Sequence, residues 1–319
     1  MTSRKVVVPA DDPIMIAGSS QLGRLDGLVD VAVHEDFPAD PQEHLERVAD
    51  AEIVVNSRNT LKWPASTLEQ CPQLKMMTTC SIGVDAIDLE AAARLGIVVS
   101  NVPGRTATVV AEHALALMLG IARRLAFTTA KVKAGEWLTP DNYVLNGRTL
   151  GVIGAGAIGR EMLRLGGAIG MKTQVWTFNA TEERSRELGA PFVDLDTLLA
   201  TSNVISIHVK LTEQSRHLVG PHELGLMKPG SFLVNTARGA VVDNTALVAA
   251  LNSGHLAGAA LDVFAKEPLP ADDPICDCEH VILTPHTADQ NTEGRDLLNS
   301  GAIDNILAYL DGKPRNVVT

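Results

Sequence analysis

Short apolar runs alternate with amphipathic stretches through the first hundred residues. The apolar runs predict β-strands at Lys5–Val8, Val29–Val33, Ile53–Asn56, Leu74–Thr79 and Ile97–Ser100. Between them, helices are predicted at Pro41–Asp50 and at Ala86–Arg94, where Gly96 follows as a stop signal. Strands that alternate with helices predict a parallel sheet with helices on both faces.

A second alternation of the same kind begins at Thr149. Its strands are predicted at Leu150–Ile153, Thr173–Phe178, Val204–His208, Phe232–Asn235, Ala259–Val263 and Val281–Leu283, with helices at Ile158–Ile169 and Asn244–Ser253. The last helix, Glu293–Leu310, is long enough to return to the first sheet. The predicted fold class is therefore α/β, with two doubly wound parallel-sheet domains: residues 1–101 and 289–319, and an inserted domain at 102–288.

Length and charge exclude some classes of protein. A chain of 319 residues suits two domains, and a net charge of −11 disfavours nucleic acid or an anionic membrane as the main partner. The N-terminal apolar run is too short for a signal peptide. The segment Thr106–Ala122 approaches membrane-spanning length, but Glu112 and His113 interrupt it, so it predicts a helix buried in a core or subunit interface. We expect a cytoplasmic protein.

The four cysteines do not form a disulfide framework. Cys276, Cys278 and His280 alternate in PICDCEH, but this spacing matches no common zinc motif and lacks a fourth ligand. We expect a loop there and no metal.

A glycine-rich segment, LGVIGAGAIGR, predicts a dinucleotide site because a strand precedes it and a helix follows. Gly154 permits the tight turn, Gly156 lets the backbone approach a pyrophosphate, and Gly159 allows close packing of helix and strand. Amides at the helix N-terminus bind the phosphates; Ala155, Ala157 and Ile158 are expected to add backbone contacts.

The next strand normally ends in an acidic residue that binds the adenosine ribose. By spacing this position falls near Thr177, yet neither Thr177, Phe178 nor Asn179 is acidic. Arg184 or Arg186 can approach a 2′-phosphate, or they can lie on a solvated helix face. The choice between NAD and NADP stays open.

Arg238, Glu267 and His286 follow three of the predicted strands, in the motifs NTARG, DVFAKEP and LTPHTA. The carboxyl ends of parallel strands face one crevice, so these side chains are expected to converge. Arginine binds a carboxylate and polarises a carbonyl, histidine transfers a proton, and glutamate favours the protonated imidazole. These groups fit the reduction of a 2-oxo acid.

The chain resembles the D-isomer-specific 2-hydroxyacid dehydrogenases over almost its whole length. The segments that carry the resemblance are SIGVDAIDLEAAARLGIVVSNVPG, VVAEHALALML, LGVIGAGAIGREM, LMKPGSFLVNTARGAVVD, GHLAGAALDVFAKEPLP and VILTPHTA. The resemblance implies a homodimer, with a Rossmann domain inserted in a flavodoxin-like substrate domain and a mobile hinge between them. It also implies NAD or NADP as the cofactor and a small 2-oxo or 2-hydroxy acid as the substrate.

The resemblance also assigns roles to individual residues. It implies that Arg238, Glu267 and His286 are catalytic, with His286 as the acid–base group. The other assignments are the substrate-carboxylate loop Ser81, Ile82 and Gly83, the cofactor-side residues Thr108, His208, Thr236 and Ala237, and Asp262 near the nicotinamide amide.

The same resemblance leaves the substrate open. Phosphoglycerate dehydrogenases of this family carry an arginine before the carboxylate loop, whereas this chain has TTCS. We also expect no regulatory domain after the core, so small acceptors such as glyoxylate or hydroxypyruvate are favoured. Candidates for the substrate's far end or its phosphate are Arg58, Asn59, Lys62, Trp137 and Tyr143, the last two also fitting a dimer interface. A dinucleotide-sensing corepressor and a phosphite-type dehydrogenase remain as alternatives.

Overall fold

The computed structural model describes residues 4–57 and 61–319. Its strands are β1 (Lys5–Val8), β2 (Asp30–Val33), β3 (Ile53–Asn56), β4 (Met76–Thr79), β5 (Val98–Ser100), β6 (Thr149–Ile153), β7 (Lys172–Trp176), β8 (Val204–Ile207), β9 (Ser231–Asn235), β10 (Leu256–Leu261) and β11 (Val281–Leu283). Its α-helices are α1 (Pro41–Val48), α2 (Ala65–Leu68), α3 (Leu89–Arg94), α4 (Ala107–Ala122), α5 (Leu125–Lys133), α6 (Ala157–Ala168), α7 (Glu182–Leu188), α8 (Leu195–Thr201), α9 (Pro221–Leu226), α10 (Asn244–Asn252) and α11 (Thr292–Leu310). Arg58 and Asn59 lie outside the described residues.

Every predicted strand is present, and the differences lie at the ends. β7 ends at Trp176 rather than Phe178, and β10 begins at Leu256, ahead of the predicted Ala259. The five predicted helices are also present, as α1, α3, α6, α10 and α11. The pattern did not single out the short helices α7 and α8, whose starts are fixed by side-chain caps from Thr181 and Asp194.

The first compact unit comprises residues 1–106 and 289–319. Its sheet is parallel, in the order β2-β1-β3-β4-β5, which is the flavodoxin-like order. Because successive side chains of a strand point to opposite faces, Val6 and Val8 pack in the core that contains α11, while Val7 packs in the core that contains α3. The sheet is thus covered on both faces, as predicted.

The second unit comprises residues 107–288. Its parallel sheet has the order β11-β10-β9-β8-β6-β7. Phe192 pairs with Val175 of β7 in an isolated parallel β-bridge and so occupies the place of one more strand beyond β7. With that position, the order is the doubly wound one of dinucleotide-binding domains. Two cores cover its faces, one containing α4 and α6 and the other containing α8, α9 and α10.

The first domain crossing differs from the predicted one. Residues 102–106, expected in the inserted domain, belong to the first unit. Val102 is buried in the core of that unit, and Arg105 pairs with Asp304 of α11. These contacts join residues that are far apart in the sequence, so the strand pattern does not reveal them.

The apolar segment before Ala122 forms α4, and its buried face joins the core of the second unit. The prediction of a buried helix is therefore confirmed. Within the described part of the chain, no helix has both the length and the apolar character needed to cross a membrane.

Candidate active site at the carboxyl ends of the second sheet

Arg238, Glu267 and His286 each follow the carboxyl end of a neighbouring strand. β9 ends at Asn235, β10 at Leu261 and β11 at Leu283, and these strands are adjacent in the sheet. The three loops therefore leave the sheet at the same edge. The convergence expected from the sequence is present in the second unit.

Glu267 holds the imidazole of His286. Nδ1 of His286 lies 2.7 Å from Oε2 of Glu267, and Oε1 of Glu267 accepts a hydrogen bond from the Phe264 amide at 2.9 Å. The His286 side chain is 42% exposed. Because the carboxylate holds one ring nitrogen, the other nitrogen, Nε2, is left for an outside partner.

Competing effects set the pKa of Glu267. Burial raises the pKa of the Glu267 carboxyl, but four other effects outweigh it: the hydrogen bond from His286, the charge of His286, the Phe264 amide and the charge of Arg238. The net result is a pKa below the ordinary value. Glu267 is therefore an anion near neutral pH.

A close approach between two loops places Arg238 beside this pair. A Cβ added to Gly239 would lie 2.0 Å from the carbonyl carbon of Phe264, so only glycine allows the loops to touch. Asn235 shapes the first loop, since its side chain accepts from the Ala237 amide at 2.9 Å and donates to the Arg238 carbonyl at 3.0 Å. Sequence reasoning missed both roles, although asparagine and glycine flank the arginine in NTARG.

The glycine loop has the geometry that its motif predicts. Gly154 has φ +110, and a Cβ there would lie 2.5 Å from the His208 carbonyl oxygen. A Cβ on Gly159 would lie 1.9 Å from the Gly154 carbonyl oxygen, whereas one on Gly156 would meet nothing within 4 Å. Gly156 is the N-cap of α6 and has no side-chain cap, so the first-turn amides of Ala157 and Ile158 have no acceptor within the helix.

Two buried polar atoms near this loop fit a bound dinucleotide. Within the described residues, Oγ1 of Thr236 and Nδ1 of His208 are buried without a hydrogen-bond partner. Thr236 follows β9 and His208 follows β8, at the same edge of the sheet as the glycine loop. Burial lowers the pKa of His208 to about 3, so the ring is neutral. Unsatisfied buried groups are costly, and a ligand that bonds to them removes the cost.

The residues predicted to lie near the adenosine ribose directly follow the end of β7. Thr177 and Asn179 follow the strand, and the guanidinium of Arg184 donates to the Asn179 carbonyl and, at 3.2 Å, to the Ala155 carbonyl. Arg184 therefore joins the glycine loop to the strand end. Arg186, by contrast, is exposed on α7.

The loop Ser81–Gly83 follows β4 in the first unit. The carbonyl of Ser81 accepts from Oγ1 of Thr79, that of Ile82 accepts from the Asn101 side chain, and that of Gly83 accepts from Oγ of Ser81. A trans peptide directs its N–H away from its carbonyl, so the amides of Ile82 and Gly83 point away from those donors.

Four further candidates have clear placements. Thr108 is exposed in the first turn of α4, and Asp262 is fully buried directly after β10. Trp137 is 84% exposed. Tyr143 packs edge-on against Phe232 at the amino end of β9, which places it away from the carboxyl ends of the strands.

The cysteine-rich segment forms a short 3-10 turn, Pro274–Asp277, and a loop. Cys278 lies 3.7 Å from the side-chain oxygen of Asn252, while Cys276 is exposed. Among the described residues, no group of three or more His, Cys, Asp and Glu side chains is arranged to hold a metal ion.

Known proteins resemble this chain in sequence and in fold. Residues 115–288 match the family described as D-isomer specific 2-hydroxyacid dehydrogenase, NAD binding domain. The glyoxylate reductase of Aeropyrum pernix is 38% identical over 299 residues, which cover 91% of this chain and 89% of that protein. The chain belongs to the D-isomer-specific 2-hydroxyacid dehydrogenase family, and it is an NAD(P)-dependent enzyme of that class.

Two solved structures bear on the cofactor. An acyclic imino acid reductase in complex with NADPH and D-Arg has a TM-score of 0.89 and 27% identity, covering 99% of this chain and 100% of the other. The D-lactate dehydrogenase of Aquifex aeolicus, complexed with NAD and lactic acid, has a TM-score of 0.84 and 29% identity, covering 97% and 96%. Cofactors of both types are thus bound by proteins of this fold.

Proposed function

We propose that the enzyme reduces a small 2-oxo acid to its D-2-hydroxy acid, with His286 as the proton donor. The observation that carries this proposal is the 2.7 Å pair of His286 and Glu267, with Arg238 in the neighbouring loop. The cofactor supplies the hydride. His286 delivers its Nε2 proton to the oxygen that becomes the hydroxyl, Glu267 holds Nδ1, and Arg238 binds the carboxylate and polarises the carbonyl.

The substrate carboxylate has a second set of donors in this proposal, the Ile82 and Gly83 amides. Both amides point away from the side chains of Thr79 and Asn101, which bond to the carbonyls of the same peptides, and this direction supports that role. The residues proposed to bind the cofactor are Gly154, Gly156, Gly159, Thr108, Thr177, Asn179, His208, Thr236, Ala237 and Asp262.

We also propose that the enzyme is a cytoplasmic homodimer. Exposed apolar side chains on and after α5, among them Leu125, Val132 and Trp137, support a dimer interface there.

The proposed function is tested by oxidation of NADH and NADPH, each offered with glyoxylate, hydroxypyruvate, pyruvate, phenylpyruvate and 2-oxoglutarate. We expect rapid oxidation with a small acceptor and a D-configured product. Tight cofactor binding without turnover of any acceptor would contradict the proposal and favour the dinucleotide sensor. Turnover of phosphite alone would favour the phosphite-type enzyme.

Glu267→Gln tests the charge of the catalytic pair. The ionised carboxylate of Glu267 attracts a protonated imidazole. Because the pKa of Glu267 is lowered, the carboxylate loses its negative charge only at a pH below the ordinary range of a glutamate. Glutamine retains the shape without the charge. Because the wild-type carboxylate is ionised from about pH 5 to about pH 9, we expect kcat/KM for reduction to fall about tenfold at each pH in that range. An unchanged kcat/KM would show that the carboxylate does not control the proton donor.

Arg184→Ala tests whether this guanidinium contributes to NADP binding. Its position between the glycine loop and the end of β7 brings a cation to the ribose, where a 2′-phosphate adds charge. We expect kcat/KM with NADPH to fall about tenfold and that with NADH to change little. Arg186→Ala, on the exposed face of the same helix, is the matched control. Equal losses with both cofactors would mean that Arg184 only holds the loop.

A further inference from the structure

The buried carboxylate of Asp262 accepts hydrogen bonds from residues on both sides of His286. Oδ1 of Asp262 accepts from Oγ1 of Thr284 at 2.5 Å and from the Thr287 amide at 2.9 Å, and Oδ2 accepts from the Ala288 amide at 3.0 Å. Thr284 precedes His286, while Thr287 and Ala288 follow it. Asp262 is 0% exposed, so these hydrogen bonds are shielded from water.

The backbone of His286 needs such a restraint. Its φ is +53, in the left-handed region that residues with a side chain seldom adopt. Such a conformation persists where the surrounding contacts determine it. Since the ring is partly exposed and Glu267 holds only one of its nitrogens, the backbone decides where the imidazole lies.

His113 connects this carboxylate to the core. Its Nε2 lies 3.1 Å from Oγ1 of Thr284 and 3.4 Å from Oδ1 of Asp262. The single hydroxyl hydrogen of Thr284 is donated to Asp262, so Nε2 of His113 must carry a hydrogen and donate it. His113 lies on α4, whose buried residues, among them Ala114 and Leu117, belong to the core of the second unit.

The Asp262 carboxylate remains ionised although it is buried. Burial raises its pKa, but the hydrogen bonds from His113, Thr284 and the Thr287 amide, with the charge of His113, outweigh burial and lower the pKa below its ordinary value. An anion is a stronger acceptor than a neutral acid, so the ionised form is the one that restrains the loop.

We propose that His113 is a positioning residue for His286, acting through Asp262 and Thr284. By donating to Thr284 and lying 3.4 Å from the Asp262 carboxylate, it holds the 284–288 loop in the conformation that presents the imidazole to Glu267 and to the substrate. This inference rests on the proposed function for its effect on turnover. Its effect on the loop itself does not depend on that function.

The first test compares His113→Phe with His113→Gln. Phenylalanine fills the ring volume but has no hydrogen to donate, whereas the glutamine amide can donate in place of Nε2–H. We expect His113→Phe to lower kcat about tenfold, with less than about a twofold change in KM for the 2-oxo acid. His113→Gln should regain most of the lost kcat. His222→Phe, at an exposed histidine on α9, is the control and should match the wild type.

The second test follows amide hydrogen exchange at Thr287 and Ala288 without substrate. Both amides should be protected in the wild type and in His113→Gln, and exchange faster in His113→Phe. If His113→Phe does not fold, Thr284→Val removes the same hydroxyl link and should give the same acceleration. Unchanged exchange in the folded variant would overturn the restraint, and faster exchange with wild-type kcat would overturn the effect on His286.

The two readouts separate this inference from the proposed function. A wild type that reduces no 2-oxo acid, with exchange that responds to His113→Phe as expected, contradicts the function but supports the restraint. Normal turnover in both the wild type and His113→Phe supports the function and contradicts the positioning role.

Discussion

His286→Ala is expected to lower kcat for 2-oxo acid reduction by roughly 10²–10⁴-fold, the usual contribution of general acid–base catalysis. Alanine removes the only group of the Glu267 pair that can donate a proton. The side chain is partly exposed, so its removal leaves no sealed cavity. Cofactor affinity, measured by fluorescence titration with reduced cofactor, should therefore stay near the wild-type value.

The matched control is His222→Ala, which removes an exposed imidazole from α9. It should keep the wild-type kcat, so that a loss in His286→Ala is specific to the position. Reduction at the wild-type rate by His286→Ala would exclude this histidine as the proton donor. A parallel loss of cofactor affinity would instead indicate that the loop had collapsed.

Gly156→Val is expected to weaken cofactor binding by at least about tenfold, or ~1.4 kcal/mol, without loss of stability. A Cβ at Gly156 meets no atom within 4 Å, so the protein itself accommodates a side chain there. The same open space is where the pyrophosphate must approach the backbone. Titration with NADH and NADPH, together with the midpoint of thermal unfolding, measures both parts of this expectation.

Gly159→Ala provides the contrast. Its Cβ would lie 1.9 Å from the Gly154 carbonyl oxygen, so helix α6 must move away from the loop. Overpacking of this kind costs about 1–3 kcal/mol, so the unfolding midpoint should fall together with cofactor affinity. Wild-type affinity in a folded Gly156→Val protein would mean that this loop does not bind the pyrophosphate.

Several features of the fold and site follow from local patterns. The central strands, such as β1, β3, β8 and β9, are buried parallel strands with mostly apolar runs, and those runs and their bounding residues identify them without tertiary contacts. The glycine spacing after β6 likewise marks the loop that is proposed to bind the pyrophosphate. Arg238, Glu267 and His286 stand directly after recognisable strands, so the general rule for parallel sheets is enough to bring them to one edge.

Other features depend on contacts that no local pattern contains. Residues 102–106 belong with α11, and Tyr143 packs on Phe232 away from the site, because distant segments meet there. The side-chain rotamer of Arg184 decides whether its guanidinium is exposed or bonds to the carbonyls of Asn179 and Ala155.

The division is clearest around His286. Its identity and its place after β11 can be read from LTPHTA, because strand, turn and histidine are consecutive in the chain. Its left-handed backbone, its carboxylate partner and the link from Asp262 through Thr284 to His113 depend on three segments that are separated in sequence: α4, the DVFAKEP loop and the LTPHTA loop. Hydrogen bonds act only over about 3 Å, so packing of the second unit alone decides which of these groups come within reach.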